Sequence, residues 1–209
     1  SHLAAMIGPA LLLGGLWWGR NLHVYGGMDF TGLDRHDAVT VGQMRTDEYI
    51  EIVLGGSERQ YLENLFRTTF HSFWGQFGWM SVPLPGPVYR ALWMVTLGLL
   101  LGAIVHAWRA HFPLALDGPG RDVLILFAAT IVLVTAAFAL YNLSFVQFQG
   151  RYLYPALVPL AFVVGAGLTG WAELIAGRRP LAQWLPLFAV GVLALFALYA
   201  LETYLVPNL

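Results

Sequence analysis

The chain has 209 residues, of which 58% are hydrophobic and 11% are charged, and its formal net charge is -1. Soluble domains carry about 25% charged residues, so this composition excludes an ordinary soluble domain and predicts an integral membrane protein. The near-neutral charge gives no indication of a nucleic-acid partner, and we expect none. The absence of cysteine excludes disulfides and thiolate metal sites.

The first apolar run, residues 3–18, is short for a membrane span. The chain does not begin with Met and shows no basic signal-peptide segment, so we interpret residues 1–19 as the end of a transmembrane helix in a longer protein. Arg20 and Asn21 follow directly. They either line a site for a lipid headgroup or anchor the end of the helix at the membrane interface.

Residues 20–87 form a long segment that changes from polar to aromatic. Eight of the twelve acidic residues lie between Asp29 and Glu63. Apolar residues recur at helical spacing on both sides of the pair Gly55-Gly56, which predicts two short amphipathic helices joined at that pair. We therefore expect this segment to lie outside the bilayer core, along the membrane surface.

An aromatic, almost uncharged stretch at residues 70–80 ends the same segment. Such a composition suits the membrane interface and predicts a re-entrant or surface helix. Two interpretations stay open for its polar and aromatic side chains: a platform for a sugar ring, or simple packing into lipid. The residues concerned are His71, Trp74, Gln76 and Trp79.

Residues 88–209 contain four further apolar runs, each long enough to cross a bilayer as a helix. They are residues 88–108, 123–146, 152–172 and 181–201. The predicted fold is thus all-α, a polytopic integral membrane protein of about five transmembrane helices with an outer-face segment of short interfacial helices. The sequence contains no phosphate loop, paired-histidine zinc site or dinucleotide fingerprint.

The short loops indicate an orientation. Loops 109–121 and 177–180 carry four arginines between them, whereas the turn at residues 147–151 carries Arg151 alone. The positive-inside rule then places the first two loops in the cytoplasm and residues 20–87 outside, beside the Arg151 turn. Arg151 lies between two glutamines and a proline at the start of a span, where it either meets an anion or anchors the helix at the interface.

Three sequence motifs occur in a characteristic order: Trp17–Gly26, Ser72–Trp79 and Gln149–Pro155. Together they resemble the later part of multi-spanning bacterial GT-C glycosyltransferases, of the kind related to protein mannosyltransferases and aminoarabinose transferases. The resemblance implies a bacterial inner-membrane protein that moves a sugar from a polyprenyl-phosphate donor on the outer face. It also implies that the catalytic acidic residue lies in an upstream loop, so we expect no catalytic residue here. Any divalent metal would be bound by residues outside this chain.

The resemblance gives the Arg151 turn a task, because a planar guanidinium can donate two parallel hydrogen bonds to phosphate oxygens. Free N–H groups at the start of the following helix would add to that attraction. The expected lipid-phosphate site is Arg151, Tyr152, Gln149, Arg20 and Asn21. Whether the chain is part of an enzyme stays open, since a non-catalytic membrane subunit that stabilises a larger assembly fits the same sequence. In both cases the partners are membrane lipid and the missing N-terminal half or other membrane subunits.

Overall fold

A computed structural model of the protein describes residues 2–40, 42–109, 118–175 and 184–208. Its regular structure is almost entirely helical, which confirms the all-α prediction. The helices are α1 His2–Tyr25, α2 Leu33–Val39, α3 Thr46–Glu48, α4 Glu58–Gly75, α5 Gly86–Arg109, α6 Gly118–Ser144, α7 Leu157–Ile175 and α8 Leu185–Ala200. Shorter helical turns extend three of them: Tyr49–Val53 after α3, Gly150–Ala156 before α7, and Leu201–Leu205 with Val206–Asn208 after α8.

Four of the described helical segments are long and apolar enough to cross a membrane, which supports a multi-pass membrane protein. They are Gly86–Arg109, Gly118–Ser144, Gly150–Leu174 and Leu185–Asn208. α1 is helical throughout but is not among these four, so the fifth span remains a prediction. Most of the two loops predicted to be cytoplasmic, with Arg178 and Arg179, lies outside the described residues.

α5 and α7 run in the same direction and pack closely through glycine. A Cβ added at Gly167 would overlap the Leu99 carbonyl oxygen, and one added at Gly170 would overlap the Gly102 carbonyl oxygen. Within a membrane, small residues let helix backbones approach because helix association there relies on close packing. This contact fixes α7, and with it the turn that carries Arg151, relative to α5.

One end of the helical bundle carries the Arg151 turn, and we call this end the Arg151 face. α4 packs against the Gly150–Ala156 turn there. The Tyr89 hydroxyl donates a hydrogen bond of 2.8 Å to the Gly75 carbonyl oxygen and accepts one of 2.9 Å from the Leu84 N–H. Ala200 is buried in one cluster with Leu84 and Tyr89. The end of α4, the start of α5 and the end of α8 therefore meet at this face.

The polar part of the segment between α1 and α4 docks on the end of α6. The Arg45 guanidinium lies 5.1 Å from the centre of the Phe145 ring. The Val146 N–H donates a hydrogen bond of 3.3 Å to the Met44 carbonyl oxygen, and the His36 ring packs edge-on against Tyr141. These contacts place His36, Met44 and Arg45 on the Arg151 face.

The glycine pair Gly55-Gly56 separates two helical segments, as the sequence predicts. Helical structure runs to Val53 before the pair, and α4 begins at Glu58 after it. Both glycines have positive φ angles, 59° and 86°, a conformation that glycine adopts without steric cost. The Ser57 hydroxyl then accepts a hydrogen bond of 3.3 Å from the Gln60 N–H and caps the first turn of α4.

Candidate functional site

The candidate site is built on the turn between α6 and α7, and Gly150 seats this turn on α4. The Gly150 N–H donates a hydrogen bond of 2.7 Å to the Ser72 hydroxyl. A Cβ at this position would overlap the Thr69 carbonyl oxygen and lie 2.5 Å from the Phe73 nitrogen. Only glycine allows so close an approach of two backbones. The structure thus brings together the second and third of the three sequence motifs.

Asn142, which the sequence analysis did not single out, holds the start of the same turn. Its side chain is 1% exposed. The amide accepts a hydrogen bond of 2.9 Å from the Gln147 N–H and donates one of 3.0 Å to the Gln147 carbonyl oxygen. Its own backbone carbonyl accepts the hydroxyls of Tyr61 and Thr46. The signal in the sequence was an amide in an otherwise apolar run, because a buried amide needs partners.

The Arg151 side chain is exposed and lies against two aromatic rings. Its guanidinium carbon is 4.9 Å from the centre of the Trp79 ring and 5.6 Å from that of Tyr152. Among the described residues, no acidic side chain forms an ion pair with Arg151. The Gln149 side chain likewise has no hydrogen-bond partner in that part of the chain. Both side chains therefore keep donors that described residues do not occupy.

Trp79 reaches Arg151 from the tip of a short antiparallel hairpin. Strands Gln76–Phe77 and Val82–Pro83 pair on either side of residues 78–81. The sequence favoured a surface or re-entrant helix across this stretch, but α4 ends at Gly75 and the chain turns back. Gly78 starts the tip with a φ of 54°, which a helix does not use. The Gln76 amide then donates a hydrogen bond of 2.8 Å to the Met80 carbonyl oxygen.

The four residues of the predicted sugar platform have different neighbours. The His71 ring stacks on Tyr89, with centres 3.6 Å apart and planes 2° from parallel. Trp74 packs against Phe70 and Phe73 within α4. The Gln76 side-chain nitrogen bonds within the hairpin, and the side-chain oxygen Oε1 is buried without a partner among the described residues. Trp79 is 84% exposed, which makes it the member of this set with the most open ring surface.

Burial lowers the pKa of His71, and the nearby positive charge of Arg67 lowers it further. The stacked contact with Tyr89 covers one face of the ring. His71 therefore favours its neutral form and helps to join α4 to α5. A neutral histidine in this place can donate or accept a hydrogen bond but adds no charge to the Arg151 face.

Arg20 and Asn21 make their hydrogen bonds and ring contacts within residues 17–30. Asn21 is 2% exposed, and its amide donates a hydrogen bond of 3.0 Å to the Phe30 carbonyl oxygen. The Arg20 guanidinium lies 5.2 Å from the Trp17 ring centre and donates to the Asn21 side chain at 3.1 Å. None of the contacts seen in the described residues joins these two side chains to Arg151. Asn21 here fixes the turn that follows α1.

The start of the helix after Arg151 offers fewer free N–H groups than the sequence predicts. The Gly150 N–H bonds the Ser72 hydroxyl, and the Tyr152 N–H donates to the Gln149 carbonyl oxygen at 3.2 Å. The first turn is a 3₁₀ turn, which forms its hydrogen bonds one residue earlier than an α-helix. Attraction of an anion to this place rests mainly on the guanidinium.

At the opposite end of the bundle, a histidine and a carboxylate on neighbouring helices lie within ion-pair distance. His106 Nδ1 lies 3.2 Å from a carboxylate oxygen of Glu173, so α5 and α7 are paired there. The described residues contain no group of three or more His, Asp or Glu side chains that could hold a metal ion. Among the described residues, Arg151 is a cation that lies beside aromatic rings and has no acidic partner, and Arg20 near the end of α1 shares this property.

No family model, curated protein or solved structure matches the chain.

Proposed function

We propose that the chain binds a phosphate-bearing membrane lipid at Arg151, as the carrier-lipid-binding part of a membrane glycosyltransferase that uses a polyprenyl-phosphate sugar donor. The observation that carries the proposal is the exposed Arg151 guanidinium, which has no acidic partner among the described residues and lies at the end of a spanning segment. An arginine near the end of a span otherwise pairs with a carboxylate or extends to water.

The surroundings of Arg151 favour a lipid anion over a small soluble one. Tyr152 and Tyr154 are 44% and 47% exposed, and Leu157 and Val158, one turn deeper, are 50% and 68% exposed. A headgroup phosphate at the guanidinium would therefore have its chain beside an apolar helix surface. This arrangement, a charged donor above apolar surface, is what a polyprenyl phosphate requires.

The proposed role of the Arg151 site is to bind the lipid, not to catalyse the transfer of the sugar. Asp and Glu side chains of the described residues form no contact with Arg151 that would place a general base beside a bound phosphate. The proposed role of Arg151 therefore includes no general base and no metal from its described neighbours. A non-catalytic subunit, the alternative, would insert and assemble normally without any preference for a phosphate headgroup.

The test is a binding titration of the purified chain in nanodiscs with a short-chain polyprenyl phosphate, read by native mass spectrometry. We expect Arg151→Ala to weaken binding roughly ten- to a hundredfold, because charge-assisted hydrogen bonds contribute about 1.5–3 kcal/mol. The matching polyprenol, which has the same chain and no phosphate, should bind equally weakly to both proteins. Inorganic phosphate should not compete, because it lacks the apolar chain.

Arg59→Ala is the matched control. Arg59 is also exposed, on α4, but its side chain pairs with Glu63 at 2.8 Å. We expect its removal to leave the titration unchanged. Equal weakening by both substitutions would show only a general effect of charge. Unchanged binding by Arg151→Ala would refute the lipid-phosphate site and favour the non-catalytic subunit.

A further inference from the structure

The hairpin tip next to Arg151 has an unusual backbone. Trp79 and Met80 have φ angles of 53° and 73°, and no other described non-glycine residue has a positive φ. Side chains clash with the backbone in this region, so such residues are rare and need support from their surroundings. Two in succession, with one at the proposed site, call for a functional explanation.

Hydrogen bonds within the hairpin maintain this conformation. The Gln76 amide donates to the Met80 carbonyl oxygen at 2.8 Å, and the Ser81 N–H donates to the Gly78 carbonyl oxygen at 3.1 Å. Both bonds close the tip from the side of the strands. The Trp79 ring is left 84% exposed, so packing of this ring against described residues does not account for the strained backbone.

The strained tip directs the Trp79 ring to the guanidinium of Arg151, 4.9 Å from the ring centre. A cation near the face of an indole is attracted by the electron density of the ring, and this attraction needs an aromatic group rather than mere volume. A long arginine side chain is otherwise mobile and loses entropy when it binds a ligand. A ring that already holds the guanidinium reduces that loss.

We propose that Trp79 is a positioning residue for Arg151: the strained hairpin tip presents its ring so that the guanidinium is held ready for an anionic headgroup. This inference rests on the proposed function of Arg151. In this arrangement Gln76 holds the tip closed through its hydrogen bond to Met80, and it need not contact a sugar directly. The ring acts through its π-electrons, which distinguishes positioning from simple packing.

The test compares Trp79→Tyr with Trp79→Leu in the same nanodisc titration with polyprenyl phosphate. Tyrosine keeps an aromatic face, so we expect binding within about twofold of the original protein. Leucine keeps apolar volume but has no π-system, and we expect it to weaken binding about three- to tenfold. Trp108→Leu, a substitution at another exposed tryptophan at the opposite end of α5, is the control and should bind normally.

A double-mutant cycle separates this inference from the function on which it rests. In a protein that already carries Arg151→Ala, Trp79→Leu should cause no further loss of binding. Normal binding by Trp79→Leu together with weak binding by Arg151→Ala would overturn the positioning role and leave the lipid-phosphate site intact. A loss that persists in the Arg151→Ala background would also overturn it, since the ring would then act independently of the arginine. Normal binding by Arg151→Ala would refute both the lipid-phosphate site and the positioning role of Trp79.

Discussion

Gly150 is the residue on which the geometry of the candidate site depends most directly. Any Cβ would overlap the backbone of α4 at Thr69 and Phe73, and these are backbone atoms that cannot rotate away. We expect Gly150→Ala to destabilise the protein by about 1–3 kcal/mol, the usual cost of overpacking. It should also weaken lipid-phosphate binding, because Arg151 moves with the turn. Thermal unfolding in detergent and the nanodisc titration measure the two effects.

Gly165→Ala provides the comparison. Gly165 lies on α7, and a Cβ there would meet nothing within 4 Å. Alanine is favoured over glycine in a helix by about 1 kcal/mol, so this variant should unfold at the same temperature as the original protein or slightly higher. Equal losses in the two variants would contradict the close contact assigned to Gly150.

His71 makes the folded protein less stable as the pH falls, because its pKa is lower in the folded protein than in the unfolded chain. Burial and the charge of Arg67 hold its pKa in the folded protein below the ordinary histidine value of about 6.5. As the pH falls below that value, the unfolded chain binds a proton at His71 before the folded protein does, so acidification favours unfolding. The contribution of His71 to stability is therefore present above about pH 6.5 and is lost as the pH falls toward the folded-state pKa.

His71→Phe isolates this effect, because phenylalanine keeps an aromatic ring to stack on Tyr89 and has no titrating group. We expect its unfolding temperature to fall less between pH 7.5 and pH 5 than that of the original protein. The difference between the two curves reports His71 alone, since the other histidines are common to both proteins. Parallel curves would show that His71 does not titrate differently in the two states.

Among the elements, the pair α5 and α7 forms the most extensive contact between described helices. Gly98 and Gly102 lie one turn apart on α5, yet they serve the contact differently. Gly98 offers its carbonyl oxygen to Trp171 Nε1 at 2.7 Å and leaves open space for a Cβ, whereas a Cβ at Gly102 would overlap the backbone of α7. The pair is therefore fixed both by close approach and by one directional bond.

The spanning helices could be predicted from sequence because their cause is local. Residues 123–146 contain no charged side chain, and a run of that length and composition has few alternatives to a membrane-spanning helix. α6 occupies Gly118–Ser144, a few residues from the apolar run. The break at Gly55-Gly56 is also local, since it follows from the backbone preference of glycine.

The contacts that shape the candidate site could not be predicted, because they join residues far apart in sequence. The hydrogen bond from Gly150 to Ser72 spans 78 positions, and that from Thr46 to Asn142 spans 96. Neither leaves a periodic pattern. The hairpin tip at Trp79 was missed for a different reason: positive φ angles at non-glycine residues contradict the preferences by which sequences are interpreted.

On the scale of the whole molecule, the directions of the four spans determine which helix ends meet at the Arg151 face. α5 leaves the Arg151 face, α6 returns to it, α7 leaves again, and α8 ends there, where Ala200 packs on Leu84 and Tyr89. The polar segment docks on the same face through Arg45 and Phe145. The geometry thus groups the proposed site with residues 36–40 and 42–75 at one end of the bundle.

The arginines in the short loops predict that this face lies on the outer side of the membrane, and the absence of cysteine makes the prediction simple to test. Gln60→Cys introduces an exposed thiol into α4. Ala115→Cys introduces a thiol into the segment 109–121 that the sequence places in the cytoplasm, and neither substitution alters the charge. A membrane-impermeant maleimide added to intact spheroplasts should label Gln60→Cys alone, whereas lysed spheroplasts should show both labelled. Labelling of Ala115→Cys alone in intact spheroplasts would place the Arg151 face in the cytoplasm. A polyprenyl-phosphate donor on the outer face could not then reach Arg151.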